Sequence, residues 1–274
     1  MKNSWLGLEG KIAIVTGGAS GIGKAIAKEL VNNGSIVIIA DIKSEGLDII
    51  QELNKISPKN IFIKTDITKI DDVRFLIQNT IERFDKIDIL INNAGINIPR
   101  LLVDPNDPGS MYELHEDEFD LMVAINQKGT YLCAQCAARE MIKNRKGVIV
   151  NITSESGLEG SEGQSCYAGT KGAIYALTRS WAKELGKYGI RVVGVAPGII
   201  EETGLRTNEY EESLAYTRGI TVEKLREGYN NSSIPLRRVG KLEEIANLVC
   251  FLASDRASYI HGVTYNISGG KSRG

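Results

Sequence analysis

The run KIAIVTGGASGIGKAIAKELVNNGSIVIIAD, Lys11 to Asp41, decides the fold. It opens with an apolar stretch rich in Ile and Val, Lys11–Thr16, which reads as a buried strand. That stretch leads straight into Thr16-Gly17-Gly18-Ala19-Ser20-Gly21-Ile22-Gly23. A helix follows, with apolar Ile22, Ile26 and Leu30 on one face. A second apolar run, Ile36–Ala40, ends on Asp41, about 20 residues beyond the glycines. Strand, glycine turn, helix and acidic strand end are the parts of a dinucleotide site. Glycines let the backbone approach a pyrophosphate, and the helix amino terminus offers unpaired N–H groups and the positive end of its dipole. The carboxylate of Asp41 can accept hydrogen bonds from the adenosine ribose. It would repel the extra phosphate of NADP, and Ala19, Ser20 and Ile42 beside it are neutral, with Lys43 the one nearby cation, so the expected cofactor is NAD.

The alternation continues with a helix around Ser44–Ile56, a strand at Ile61–Thr65, a helix around Asp71–Phe84 and a strand at Ile87–Ile91. Units of this length predict an α/β fold: a single Rossmann-type doubly wound parallel sheet with helices on both faces, formed by residues 1–274 as one domain. Ligands bind such a sheet outside the carboxyl ends of its strands. Those ends are Ser20–Gly23, Asp41, Asp66, Asn92-Asn93-Ala94-Gly95, Ser154 and Pro197-Gly198, so the unusual residues recur where the fold places a ligand.

The second informative stretch is Asn151 to Lys171. Val148–Ile152 reads as a strand, Ser154 lies where the chain leaves it, and a helix starting near Ser165 carries Tyr167 and Lys171. The spacing puts both side chains on one helical face, about one turn apart. An ammonium about 5 Å from a phenol, at an effective dielectric near ~20, supplies roughly 3 kcal/mol. Bringing a phenol from near ~10 to neutrality needs about 4 kcal/mol. With a second cation, such as an oxidised nicotinamide ring, making up the rest, the pair is expected to lower the Tyr167 pKa and move a proton, although on its own such a pair also fits a solvated helix surface.

With 42% hydrophobic and 24% charged residues and a formal charge of -1, the 274-residue chain reads as an ordinary soluble globular protein, with no field that would draw nucleic acid or an anionic membrane. Met1–Lys11 has no apolar core of signal-peptide length and Ile36–Ala40 is far too short to span a bilayer, which predicts a cytoplasmic protein. Cys133 and Cys136 lie two residues apart, but they fall within an expected helix, and His115 and His261 lie in unrelated segments. Buried reduced thiols are expected rather than a metal site.

The residues quoted so far, together with Asn126 and Gly129, resemble the short-chain dehydrogenase/reductase family along nearly the whole chain. The resemblance implies an oxidoreductase with Tyr167 as general acid/base, Lys171 lowering its pKa and holding the nicotinamide ribose, Ser154 orienting the substrate oxygen and Asn126 holding a relay water. It implies cofactor contacts from Gly17, Ser20, Gly21, Ile22, Gly23, Asp41, Asp66, Ile67, Asn93, Ala94, Gly95, Pro197, Gly198 and Ile200. Thr203 falls one place later than the family's usual threonine contact and is kept as a candidate. No metal is expected. A homotetramer is implied as well, and the small residues of Ala134–Ala138 and Ala168–Ala176 would permit close packing between subunits.

Two segments bear on the substrate. Residues 98–114, rich in Pro and Gly, form an insert relative to the common form of the family and are expected to overhang the active site. Residues 204–233 correspond to the family's mobile lid and carry Arg206, Arg218 and Arg226, any of which could clamp an anionic group or lie solvated. Glu155, Glu159, Glu162 and Gln164, before Tyr167, suit the protons of several hydroxyls. The expected small-molecule substrate is thus a phosphorylated polyol, contacted by Ser154, Glu155, Gln164 and the lid arginines. A non-phosphorylated polyol, a sugar acid or a 3-oxoacyl chain are the alternatives within the family, and a non-catalytic NAD-binding protein is the alternative outside it.

Overall fold

The computed structural model of the protein describes residues 5–230 and 234–272, so the last positions of the expected lid, 231–233, lie outside the described residues. The strands are β1 (Ile12–Thr16), β2 (Ile36–Asp41), β3 (Ile61–Lys64), β4 (Ile89–Asn92), β5 (Gly147–Ile152), β6 (Ile190–Pro197) and β7 (Thr264–Ile267). The helices are α1 (Gly21–Asn32), α2 (Gly46–Ile56), α3 (Ile70–Phe84), α4 (Glu116–Met122), α5 (Thr130–Asn144), α6 (Ser156–Glu159), α7 (Ser165–Leu185), α8 (Asn208–Thr217), α9 (Val222–Asn230) and α10 (Leu242–Ala253). The strands form one parallel sheet in the order β3-β2-β1-β4-β5-β6-β7. The order reverses between β1 and β4. Chains leaving neighbouring strands at such a point pass to opposite faces and open a crevice.

The Ile- and Val-rich runs become strands buried on both faces, as a helix-covered parallel sheet requires. Ala13 and Val15 of β1 pack into the cluster beneath α1 and α10, with Ile26, Leu30 and Val249. Ile12 and Ile14 point the other way, towards Val73, Leu76 and Ile77 of α3 and Cys133 and Ala137 of α5. The inward positions of α3, Val73, Leu76, Ile77 and Thr80, follow the helical repeat. Cys133 and Cys136 are buried thiols, and burial pushes Cys133 up to about 12.

Three expectations need correction. The helix expected to carry Asn126 is interrupted by a turn of π-helical bonding, Val123–Gly129, between α4 and α5. Ala134, Ala137 and Ala138 do not form a contact surface, because they are buried against their own sheet. The insert does not overhang the cleft: none of residues 98–114 lines it. It braces the lid instead. Leu101 N donates to Tyr112 O at 2.8 Å, the Tyr112 and Tyr216 rings stack at 3.8 Å, and Tyr216 Oη donates to Asp104 Oδ2 at 2.7 Å. Arg100 pairs with Glu118 at 2.6 Å and donates to Ser213 Oγ of α8 at 3.4 Å.

A buried polar tie locks the carboxyl ends of the central strands to α7. Asn92 Nδ2 donates to Asn151 Oδ1 at 2.9 Å, and Asn151 Nδ2 donates to Thr178 Oγ1 at 2.9 Å. Replacing Asn151 by Leu strands the Asn92 amide in the core and should cost about 1–3 kcal/mol. Urea unfolding at fixed protein concentration should show a lower midpoint with an unchanged slope; an unchanged midpoint would refute the role of the tie.

Candidate active site

The carboxyl ends of β1 to β6 converge on one cleft of about 530 Å³. Its first end fits a dinucleotide. Gly17 has φ +64°, and a Cβ there would stand 2.8 Å from Ala94 Cα, so only glycine lets the two turns approach. A Cβ at Gly23 would overlap the Gly17 carbonyl oxygen, which explains why Gly23 sits beneath the turn and does not line the cleft. Ser20 makes no side-chain cap on α1, so the first-turn N–H groups remain available to an anion. Asn93 fastens the neighbouring turn: its Nδ2 donates to Thr16 O at 3.0 Å and its N–H to Thr16 Oγ1 at 3.0 Å.

Asp41 is only 8% exposed, and each carboxylate oxygen accepts one backbone N–H, from Ala19 at 3.0 Å and from Lys43 at 3.0 Å. Each oxygen keeps a lone pair for a further donor. Asp66 also lines the cleft, and hydrogen bonds from Thr68 hold its carboxyl below the usual range. Ser20, Gly21, Ile22, Ile67, Ala94, Gly95, Pro197, Gly198, Ile200 and Thr203 complete this lining, so Gly23 is the one sequence-derived cofactor residue outside it.

At the centre the fold brings Ser154, Tyr167 and Lys171 together. Ser154 Oγ accepts from Ser156 Oγ at 2.9 Å, and Lys171 Nζ lies 5.7 Å from the phenol ring centre. Lys171 is 5% exposed and donates to Ile152 O, at the end of β5, at 2.9 Å. The protein's own groups alone do not lower the phenol pKa. Burial pushes Tyr167 up to about 12, with Ser154 acting the other way, and burial pulls Lys171 down to about 8. Helical spacing sets how far apart two groups lie; it says nothing of how dry they are.

Asn126 is buried behind this centre and does not line the cleft. Its Oδ1 accepts from Ile96 N at 2.8 Å, and its Nδ2 donates to Ile96 O at 2.9 Å and to Thr170 Oγ1 at 3.1 Å. It thus clamps the β4 loop to the helix that carries Lys171. Both Nδ2 protons are spent on this clamp, and Oδ1 keeps one lone pair.

The other end of the cleft carries the lid. Arg206 donates to Ile200 O at 2.8 Å and stacks on Tyr229 at 4.1 Å, while Arg218 approaches Ser161 Oγ at 3.3 Å; both line the cleft and both meet neutral partners. Arg226 does not line it. Its guanidinium pairs with Glu211 at 2.7 Å and ties α9 to α8. Gln164 lines the cleft and donates to Tyr210 Oη at 2.8 Å. Among the cleft residues that the sequence reading does not name as contacts are Asn97, Tyr210 and Lys271. Asn97 lies just past the Asn-Asn-Ala-Gly turn and Tyr210 falls within the expected lid, 204–233, so both had a signal. Lys271 had none, being 116 residues from its partner Glu155. Asn97 Oδ1 and Glu155 Oε2 are buried without a hydrogen-bond partner.

Comparison with known proteins agrees with this geometry. The family model for short chain dehydrogenases matches residues 11–214. The chain is 58% identical over 272 residues to a sorbitol-6-phosphate 2-dehydrogenase of Klebsiella pneumoniae, covering 99% of this chain and 100% of the relative. It is 38% identical over 264 residues to a 3-oxoacyl-[acyl-carrier-protein] reductase of Thermotoga maritima, covering 96% and 98%. Among solved structures, the ligand-free aldohexose dehydrogenase of Thermoplasma acidophilum superposes with a TM-score of 0.80 at 29% identity, covering 97% of this chain and 95% of that one.

The glycine turn yields a direct test. Gly17→Ala combines a left-handed residue, at about 1–2 kcal/mol, with a backbone clash against Ala94. NADH binding, followed by its fluorescence, should weaken at least tenfold, whereas unchanged affinity would show that the turn does not hold the dinucleotide.

Proposed function

The chain belongs to the short-chain dehydrogenase family, and from that premise we propose that it is an NAD-dependent enzyme oxidising sorbitol 6-phosphate at carbon 2 to fructose 6-phosphate. The observation that carries the substrate is the joint presence, in one cleft, of two unpartnered hydroxyl acceptors, Asn97 Oδ1 and Glu155 Oε2, and a lid guanidinium on a neutral partner, Arg218. Buried acceptors without donors are costly unless a ligand supplies them. A polyol brings hydroxyl protons and its phosphate brings an anion. A 3-oxoacyl chain would leave both oxygens orphaned.

In this reading Ser154 and Tyr167 hold the reacting hydroxyl between them. The phenol, once deprotonated, takes the hydroxyl proton as the C–H bond of carbon 2 breaks. NAD, when bound, supplies the acceptor for the hydride. Lys171, fixed by Ile152 O, favours the phenolate by its charge and holds the cofactor ribose. Asn126 keeps that lysine in register through Ile96 and Thr170. Asp41, with a lone pair left on each oxygen, favours the ribose hydroxyls of NAD over the phosphate of NADP. Of the lid arginines, Arg218 is the phosphate ligand, because Arg206 is held by Ile200 O and Tyr229 and Arg226 by Glu211. The proposal includes a cytoplasmic homotetramer.

The substrate assignment is tested by kinetics with both polyols. Charge-assisted bonds to phosphate are worth about 1.5–3 kcal/mol, so Arg218→Ala should lower kcat/KM for sorbitol 6-phosphate at least ~10-fold and leave sorbitol within about twofold. Equal losses on both, or wild-type efficiency as high with sorbitol, would refute it. The phenol gives a second test. Its pKa is raised, so it is protonated at neutral pH, the wrong form for oxidation and the right one for reduction. Oxidation kcat/KM should climb about tenfold per pH unit below the phenol's titration, while reduction should not climb. A flat oxidation profile between about pH 6 and 9 would contradict Tyr167 as the base.

A further inference from the structure

The C-terminal segment reaches into the same cleft. After β7 the chain turns through Gly269 and Gly270, both with positive φ, and closes on itself: Asn266 Nδ2 donates to Ser272 Oγ, and Ser272 N donates to Ser268 Oγ at 3.2 Å. Lys271 N donates to Ser268 O at 3.2 Å. This knot leaves Lys271 little freedom and turns its ammonium onto Glu155 Oε1, at 2.5 Å. Glu155 directly follows Ser154, and its own N–H donates to Pro197 O at 3.1 Å, so its backbone is held in place while Lys271 holds one carboxylate oxygen. It is 9% exposed. Its second oxygen, Oε2, is buried without a partner beside Gly198, where a Cβ would stand only 3.0 Å away.

An ion pair on an open surface contributes little and leaves no oxygen orphaned. A pair drawn into a cleft loses hydration, and an orphaned carboxylate oxygen adds to the cost, so the arrangement is complete only when something else donates to Oε2. The ammonium has three N–H bonds, one of them spent on Glu155 Oε1. The pair therefore presents a cationic donor next to an anionic acceptor, beside the serine that faces the reacting oxygen. That is the complement of two neighbouring hydroxyls, one accepting from Nζ and the other donating to Oε2. The ammonium also neutralises the carboxylate, without which this wall would repel an anionic substrate.

We propose that Lys271 and Glu155 together form a subsite for a vicinal diol, and that Lys271, brought from the C-terminal segment, determines specificity for polyhydroxylated substrates. The inference rests on the polyol reading above and deepens it.

The test crosses protein variants with substrate analogues. Fructose 6-phosphate is compared with analogues lacking the hydroxyl on carbon 3 or on carbon 4, using the wild type, Lys271→Met and Glu155→Gln. Wild-type kcat/KM should fall at least tenfold when the recognised hydroxyl is removed. Each variant should fall at least tenfold on fructose 6-phosphate yet stay within about threefold of wild type on one deoxy analogue, with NADH affinity unchanged. Equal proportional losses on all substrates, or no loss, would overturn the subsite. The exchanged pair, E155K with K271E, keeps the ion pair but reverses donor and acceptor. It should recover Tm relative to Lys271→Met and not recover kcat/KM, and recovery of both would reduce the pair to a structural tie. If the wild type turns over neither fructose 6-phosphate nor sorbitol 6-phosphate, the functional reading falls by itself. Calorimetric titration of sorbitol into the enzyme with NADH then decides the subsite: binding lost in Lys271→Met supports it, and binding absent from the wild type or equal in both overturns it.

Discussion

Everything around the cleft depends on keeping one ammonium dry beside one phenol. Lys171, 5% exposed, is held by Ile152 O, and burial weakens its charge just as it disfavours a charged Tyr167. Desolvation acts on each group alone, but Lys171 Nζ lies 5.7 Å from the phenol ring centre, near enough for the two charges to attract once both have formed. The proton is therefore hard to remove in the open cleft and becomes easier to remove as further positive charge gathers there. Such a site resists idle ionisation and responds to occupancy.

Holding that geometry recruits residues far apart in the chain. The tie from Asn92 through Asn151 to Thr178 sets the strand ends against α7, and Asn126 clamps Ile96 to Thr170. The π-helical turn at Val123–Gly129 belongs to the same requirement, because a bulge of this kind re-aims a side chain that a regular helix would direct elsewhere. The insert serves the lid in a similar way. Stacking of Tyr112 on Tyr216 and the bond to Asp104 fix α8, and α8 carries Tyr210 to Gln164 and Asn97. The α8 segment beside the cleft is thus braced from outside it.

Much of this was legible from local sequence. The path from β1 through the glycine turn to α1 and Asp41 is written in consecutive residues, and its chemistry follows from steric and dipolar rules that need no distant partner. Tyr167 and Lys171 were legible because four residues make about one helical turn. Their protonation was not, since desolvation depends on what the rest of the chain packs around them. Arg226 and Arg218 look equivalent in sequence, and only the position of Glu211 separates the tie from the cleft residue. Lys271 was invisible for a simpler reason: no rule of spacing links the C-terminal segment to Glu155, and only the register of β6 with β7 brings them together.

Tyr167 is proposed as the group that exchanges the substrate proton, and Tyr167→Phe tests this most directly. Removing one oxygen should leave NADH binding, read by fluorescence, within about twofold, while turnover of sorbitol 6-phosphate with NAD falls by roughly 10²–10⁴-fold, the range general acid–base catalysis supplies. Retention of more than about a tenth of the wild-type rate with intact cofactor binding would place the proton transfer elsewhere and contradict the site as described.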